Sequence, residues 1–256
     1  MNRLFADTDA WAIASIVAVA MVAGWLAGRW RGRTLRVASQ GRPAVSRFMD
    51  ASLAVLGLLL AFTFSLALSK HDQRRLMVVA DSNAIGDFYT CATLLKEPVR
   101  TKLRTVIRDY AALRVDLSKR AYDAASFDNA LSQFEQMQNQ MVQLVSQALD
   151  DGTPIAVPLT NSLNALTGIH AERVSAVLDR LPTSIVLLLL LSAFMSSTLV
   201  GREQGVADEG DIAGTICFVM LISFVIFVTL DLNQPDRGFI TASQAPMQRL
   251  LATMSQ

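Results

Sequence analysis

Residues 51–68 read ASLAVLGLLLAFTFSLAL, a run from Ala51 to Leu68 without Asp, Glu, Lys, Arg or His. A helix that crosses a bilayer needs roughly 20 mostly apolar residues at about 1.5 Å rise each. This stretch meets that length, and three further uncharged runs match it: Trp11–Gly28, Thr183–Val200 and Ile212–Leu230. In hydrocarbon every backbone amide has to be bonded internally, which a helix achieves by itself. The chain therefore reads as an all-α integral membrane protein whose four transmembrane helices form two pairs around a long polar middle segment. The expected division is 1–68 for the first pair with its Arg-rich turn and 69–182 for an extramembrane helical bundle. The second pair then takes 183–232 and a C-terminal tail 233–256.

The bulk numbers agree. A 52% hydrophobic share and a mean hydropathy of +0.37 are high for a water-soluble chain, and the excess lies in the four runs. A net charge of +1 points to no nucleic-acid partner. Cys91 and Cys217 cannot build a disulfide framework and read as small, buried, reduced residues. No metal-binding Cys/His spacing, glycine-rich phosphate loop or nucleophile elbow occurs, so neither a metal, a cofactor nor an enzymatic activity is expected. Ala18-Val19-Ala20 has the look of a signal cleavage site. The basic cluster follows the apolar run instead of preceding it, so the first run reads as a retained helix.

Arginine placement sets the expected sidedness. Arg29, Arg31, Arg33, Arg36, Arg42 and Arg47 follow the first run with no acidic residue before Asp50. Positive charges flanking short loops stay on the cytoplasmic side. The Arg29–Arg47 loop is expected in the cytoplasm of a bacterial inner membrane, with Ser69–Pro182 outside; the inverted arrangement is the alternative. Gly201–Asp211, with Gly205 and Gly210, reads as a tight helical hairpin turn.

The middle segment, Ser69–Pro182, carries thirteen Lys+Arg and thirteen Asp+Glu. Its apolar residues recur at helical intervals. One stripe runs Val99, Leu103, Val106, Tyr110, Leu113, Leu117, opened by Glu97-Pro98. A second runs Phe127, Leu131, Phe134, Met141, Val145, Ala148, and Asp150-Asp151-Gly152-Thr153-Pro154 breaks it. A third runs Leu159, Leu163, Leu166, His170, Val174, Val177, Leu181. With no proline after Leu68, the second membrane run is expected to continue as helix to about Leu95, on the order of 65 Å in all. Four helices then make the bundle.

Polar residues in these stripes are the site candidates. Asn83 and Gly86 continue a stripe from Leu76 and Val79, which reads as a register-setting amide beside a close-contact glycine, or as a ligand site. Lys70, His71, Arg74 and Arg75 form an interfacial basic collar, or a site for an anion or lipid headgroup. His170 reads as a core histidine with one hydrogen bond. Asp231 closes the fourth run, where a carboxylate opposes the helix dipole and needs a partner such as an arginine or a backbone turn. It reads as an acid that locks the Asp231–Gly238 turn, through Arg237 or the basic collar near Arg74 and Arg75, or as an ion ligand. Small residues repeat every four positions at Gly24/Gly28, Gly57/Ala61/Ser65/Ser69 and Ser192/Ser196, the spacing of close helix packing in lipid.

The stretch GLLLAFTFSLALSKHDQRRLMVVADSNAIGDFYTCATLLKEPVRTKLR, from Gly57, resembles the bacterial bestrophin-like membrane family. So does LDLNQPDRGFITASQAPMQRLL, from Leu230, with Asp231, Pro235 and Gly238 in a D-x-x-x-P-x-x-G element ahead of a strand-like piece and a helix. The resemblance covers most of the chain. It implies kinship with oligomeric, mostly anion-conducting channels, and hence a homo-oligomer that passes a small ion. The runs themselves hold no ionisable residue, which argues against ion-coupled transport. A passive pore needs none, and Phe62, Phe64, Phe218 or Phe224 could ring an apolar gate. The other reading is a membrane-anchored sensor or scaffold whose bundle binds a ligand or protein partner.

Overall fold

The computed structural model describes residues 9–39, 46–117, 124–207, 210–234 and 238–255, with side chains omitted at 36–39, 46–47 and 124–125. These residues form eight α-helices and no strand: α1 Ala10–Ser39, α2 Ser46–Thr93, α3 Val99–Leu117, α4 Ala124–Asp150, α5 Ala156–Leu178, α6 Thr183–Ala207, α7 Ile212–Leu232 and α8 Ala245–Met254. The chain divides into two compact units.

The first unit comprises Met1–Lys70 and Arg180–Ile240. It contains α1, the first half of α2, α6 and α7, and all four apolar runs fall on these helices. Ile13, Val17 and Met21 of α1 pack in one core with Leu56 and Leu60 of α2, Val186, Leu189 and Ala193 of α6, and Val219, Ile222 and Ile226 of α7. Only 22% to 39% of each apolar window is buried by the chain itself, which leaves broad apolar faces for lipid or for a neighbouring subunit. Cys217 lies on such an exposed face, not in the core as its apolar surroundings suggest, while Cys91 is half-buried; both are free thiols.

Two expected turns are helix. α1 continues through Arg29, Arg31 and Arg33 to Ser39 because arginine is a good helix former and nothing breaks the run. α6 likewise continues to Ala207, so Gly205 is a helix residue. The turn before α7 is shorter, and Asp211 caps that helix by accepting the Gly214 amide at 2.8 Å.

The second unit comprises His71–Asp179 and Thr241–Gln256: the rest of α2 with α3, α4, α5 and α8. α2 is a single helix of 48 residues, on the order of 70 Å long. α3 starts where Glu97 accepts the Thr101 amide (3.3 Å) and Arg100 Nε (2.8 Å). Gly152, at φ +70°, supplies the left-handed residue that ends α4. The core joins Ile85 and Phe88 to Leu103, Ile107 and Tyr110, to Phe134, Met141 and Val145, and to Leu159 and Leu166. The last part of the tail, from Thr241, belongs to this unit: Met247 and Met254 of α8 are buried in the same core. Residues 241–244 ahead of α8 are irregular and form no strand.

Two helix registers differ from the stripes in the sequence. On α2 the buried positions beyond Leu76 include Val78, Asp81, Ser82, Ala84, Ile85, Phe88 and Ala92, whereas Leu76, Val79 and Asn83 are exposed. On α3 the buried set turns from Val99 and Leu103 to Ile107, Tyr110, Ala111 and Arg114, with Val106, Leu113 and Leu117 at its margin.

Candidate functional site

The bundle unit contains a buried ionic cluster. Asp81 of α2 is fully buried, and its Oδ2 lies 2.5 Å from Arg173 Nη1 of α5 and 3.3 Å from Arg114 Nε of α3. Charged side chains are almost never buried unless paired. Here two guanidiniums share one carboxylate, so the three residues carry one uncompensated positive charge. Asp81 Oδ1 and Arg114 Nε have no hydrogen-bond partner among the described residues.

Aromatic and neutral polar groups complete the cluster. The Arg114 guanidinium lies 4.2 Å from the Phe134 ring centroid and 5.2 Å from that of Tyr110, where the ring quadrupoles attract it. Its Nη2 donates to Tyr110 Oη at 3.0 Å and faces His170 Nδ1 at 2.6 Å. Arginine can only donate, so Nδ1 is the acceptor and His170 is the neutral tautomer with its proton on Nε2. Tyr110 Oη lies 3.1 Å from the same nitrogen, and Gln138 Nε2 of α4 donates to that hydroxyl at 3.4 Å. Arg173 Nη2 donates to Gln244 Oε1 at 3.0 Å. Burial, then the neighbouring Arg114 charge, hold the His170 pKa down to about 4. Burial pushes the Tyr110 phenol above its ordinary value. Both groups lie in the bundle, outside the four apolar runs.

Sequence reasoning placed His170 in the core but missed Asp81, Arg114 and Arg173. A signal was present, since each charge occupies a buried register position: Asp81 between Val78 and Ile85, Arg114 after Ile107 and Tyr110, Arg173 after Leu166 and His170.

The other candidates distribute differently. Asn83 is exposed and does not sit in the buried seam, while Gly86 is half-buried, and a Cβ there would meet Leu250 Cδ1 of α8 at 3.2 Å. The basic collar is not uniformly surface-facing: His71 and Arg74 are buried, Lys70 is half-buried and Arg75 is exposed beside Asp72 at 3.7 Å. An exposed pair of that kind contributes little to stability.

In the first unit, Asp231 is buried and accepts two backbone amides, Phe239 N at 2.8 Å and Ile240 N at 2.9 Å, one on each carboxylate oxygen. These amides are the partners the helix-terminal carboxylate requires. Gly238 is needed by close approach, because a Cβ would lie 2.7 Å from the Asp231 carbonyl oxygen. Pro235 and Arg237 lie outside the described residues. Asn233 Oδ1 accepts the Leu181 amide at 2.8 Å, which ties the entry of α6 to the end of α7.

Glycines also set the α1–α6 contact. A Cβ on Gly28 would lie 2.0 Å from the Thr198 carbonyl oxygen, and one on Gly201 would lie 2.1 Å from that of Trp25. Gly32 and Gly205 meet at the next turn. Ser197 Oγ donates to the Met21 carbonyl at 2.6 Å, and Ser196 Oγ lies 2.7 Å from Ser52 Oγ of α2. Backbone-to-backbone packing of this sort is how helices associate in lipid.

The family model of the Bestrophin-like domain matches residues 14–247. No curated protein and no solved structure matches the chain. The match takes in nearly all of α1, the whole of α2 to α7, the first residues of α8, the buried ionic cluster and the Asp231 turn, and the chain belongs to the bestrophin-like family.

Proposed function

We propose that this membrane-embedded protein is a subunit of a homo-oligomeric passive pore for small ions. One observation carries the reading beyond the family match. The glycines of α1 and α6 and the serines Ser196 and Ser197 are consumed inside the chain, whereas Gly57, Ala61, Ser65 and Ser69 of α2 all face outward. Among the described residues nothing lies within 4 Å of a Cβ built on Gly57. A small, weakly polar stripe gains nothing from lipid, but it suits close packing with a second subunit or the lining of a narrow conduit between subunits. Phe62, beside Ala61, is 66% exposed and would be the apolar constriction of such a conduit. The runs supply no ionisable relay, which favours conduction over coupled transport. The arginines of α1 favour a cytoplasmic position for that end and an outer one for the bundle.

Purified protein inserted in a planar bilayer, with its subunits counted by native mass spectrometry, tests this. A ring of subunits with unitary currents supports the pore. A monomer that passes no current refutes it.

A membrane-anchored sensor is the second reading. It is favoured by a groove of about 510 Å³ between α3 and α4, lined by Thr101, Lys102, Thr105, Val106, Gln140, Gln143, Leu144 and Gln147. Its mixed lining could bind a ligand with apolar and polar parts.

A further inference from the structure

The ionic cluster has one weak point, and it is His170. Its Nδ1 faces two donors, Arg114 Nη2 at 2.6 Å and Tyr110 Oη at 3.1 Å, and can do so only while it carries no proton. A proton on Nδ1 would remove the acceptor from both donors and set an imidazolium against a guanidinium. The cluster already holds one excess positive charge, so a second would have no counter-charge to meet it. Two of its polar atoms, Asp81 Oδ1 and Arg114 Nε, already lack hydrogen-bond partners among the described residues.

The groups around His170 can be named helix by helix. Asp81 of α2 favours a proton there, while Arg114 of α3 and Arg173 of α5 oppose it. Tyr110 is neutral at working pH, and α4 contributes only uncharged Phe134 and Gln138. Repulsion therefore outweighs attraction, and the ring takes its proton readily only once α5 has moved away from α3.

We propose that His170, Arg114, Tyr110 and Asp81 form an acid-sensitive latch, in which proton uptake on His170 Nδ1 traps the state with α5 released from α3 and so loosens the bundle. The latch is closed at neutral pH. It weakens as pH falls through the range in which a freed histidine protonates and the clasped one does not, from about 6.5 downward. Because one proton is taken up, the closed-to-open ratio falls by up to about tenfold per pH unit in this window. The bound clasp protonates at about 4, and the dependence ends there. The latch requires no conductance, so it stands or falls separately from the pore.

Hydrogen exchange with mass spectrometry on the full chain in detergent, corrected for intrinsic exchange rates, tests it at pH 7 and pH 5. Protection in residues 105–117 and 163–178 should fall by roughly thirtyfold, the product of one and a half pH units at the limiting slope. His170→Gln keeps an acceptor that cannot be protonated, and its protection there should not change with pH. An equal loss in His170→Gln, or none in the wild type, overturns the proposal. If His170→Gln does not fold, the wild-type protein with carbon-13 histidine serves, the two resonances being assigned with His71→Gln. A His170 signal that titrates near 6.5 while those amides stay protected also overturns it. One that stays neutral until protection is lost supports it.

Discussion

Asp81 and Arg173 stand 92 residues apart in the chain and meet at 2.5 Å between Oδ2 and Nη1, with the carboxylate fully buried. Arg114 completes the group at 3.3 Å, and the three charges tie α2, α3 and α5 together. Because two cations share one anion, the three positions are not equivalent.

Asp81→Asn should be the most damaging single change in the bundle. It leaves two buried guanidiniums unpaired, and breaking a buried pair from one side costs about 3–5 kcal/mol. Arg173→Met leaves a balanced Asp81–Arg114 pair and should cost clearly less. The double variant should be more stable than the sum of the two predicts. Thermal unfolding of detergent-purified protein, followed by size-exclusion fluorescence, gives all three values.

Gly28→Leu and Gly201→Leu should each destabilise the membrane unit, because even a Cβ there would lie about 2 Å from a carbonyl oxygen of the facing helix. Forced overpacking typically costs about 1–3 kcal/mol. Gly57→Ala meets nothing among the described residues and should leave the subunit's own unfolding unchanged. A drop in oligomer size for Gly57→Leu, with the subunit still folded, would mark α2 as a contact between subunits.

Asp231→Ala should release residues 239–240, since both carboxylate oxygens hold backbone amides there. Each buried donor left unsatisfied costs about 1–3 kcal/mol. Gly238→Ala should have a similar effect by a different route, a clash with the Asp231 carbonyl. Faster proteolysis between residues 233 and 244 in both variants is the expected readout.

Ser65→Cys, on the outward face of α2, should make current sensitive to a small thiol reagent if that face lines the conduit. Leu191→Cys, on an exposed face of α6, should not. Equal sensitivity at both positions would remove α2 as the lining.

The membrane helices were legible because an uncharged run of this length has only one comfortable solvent. Their ends were not. Arginines read as a turn by charge are helix formers by propensity, and α1 runs on to Ser39. Gly205, read as turn chemistry, serves a backbone contact with α1 that no local pattern announces. On α2 two stripes competed. Leu76, Val79 and Asn83 offered helical spacing with a polar amide in it, but packing chose the face of Ile85 and Phe88, and the charge it buried there was Asp81. That choice depends on Arg114 and Arg173, far along the chain, so reading α2 alone could not reveal it. The Asp231 turn was half legible. The need for a partner followed from the helix dipole, with an arginine and a backbone turn both open. The partners are the backbone amides of Phe239 and Ile240, which carry no sequence signature to choose between the two.

The most direct test of the architecture is sided cysteine labelling in a Cys91→Ser/Cys217→Ser background with an impermeant maleimide on spheroplasts. Arg33 is the cytoplasmic reporter, since it is exposed whereas neighbouring Gly32 packs on the Arg202 backbone, and Asp151 reports from the bundle. Four spanning helices with the bundle outside predict that Asp151→Cys labels directly and Arg33→Cys only after permeabilisation. Labelling of both from the same side would mean that α2 does not cross the membrane, and would contradict the account.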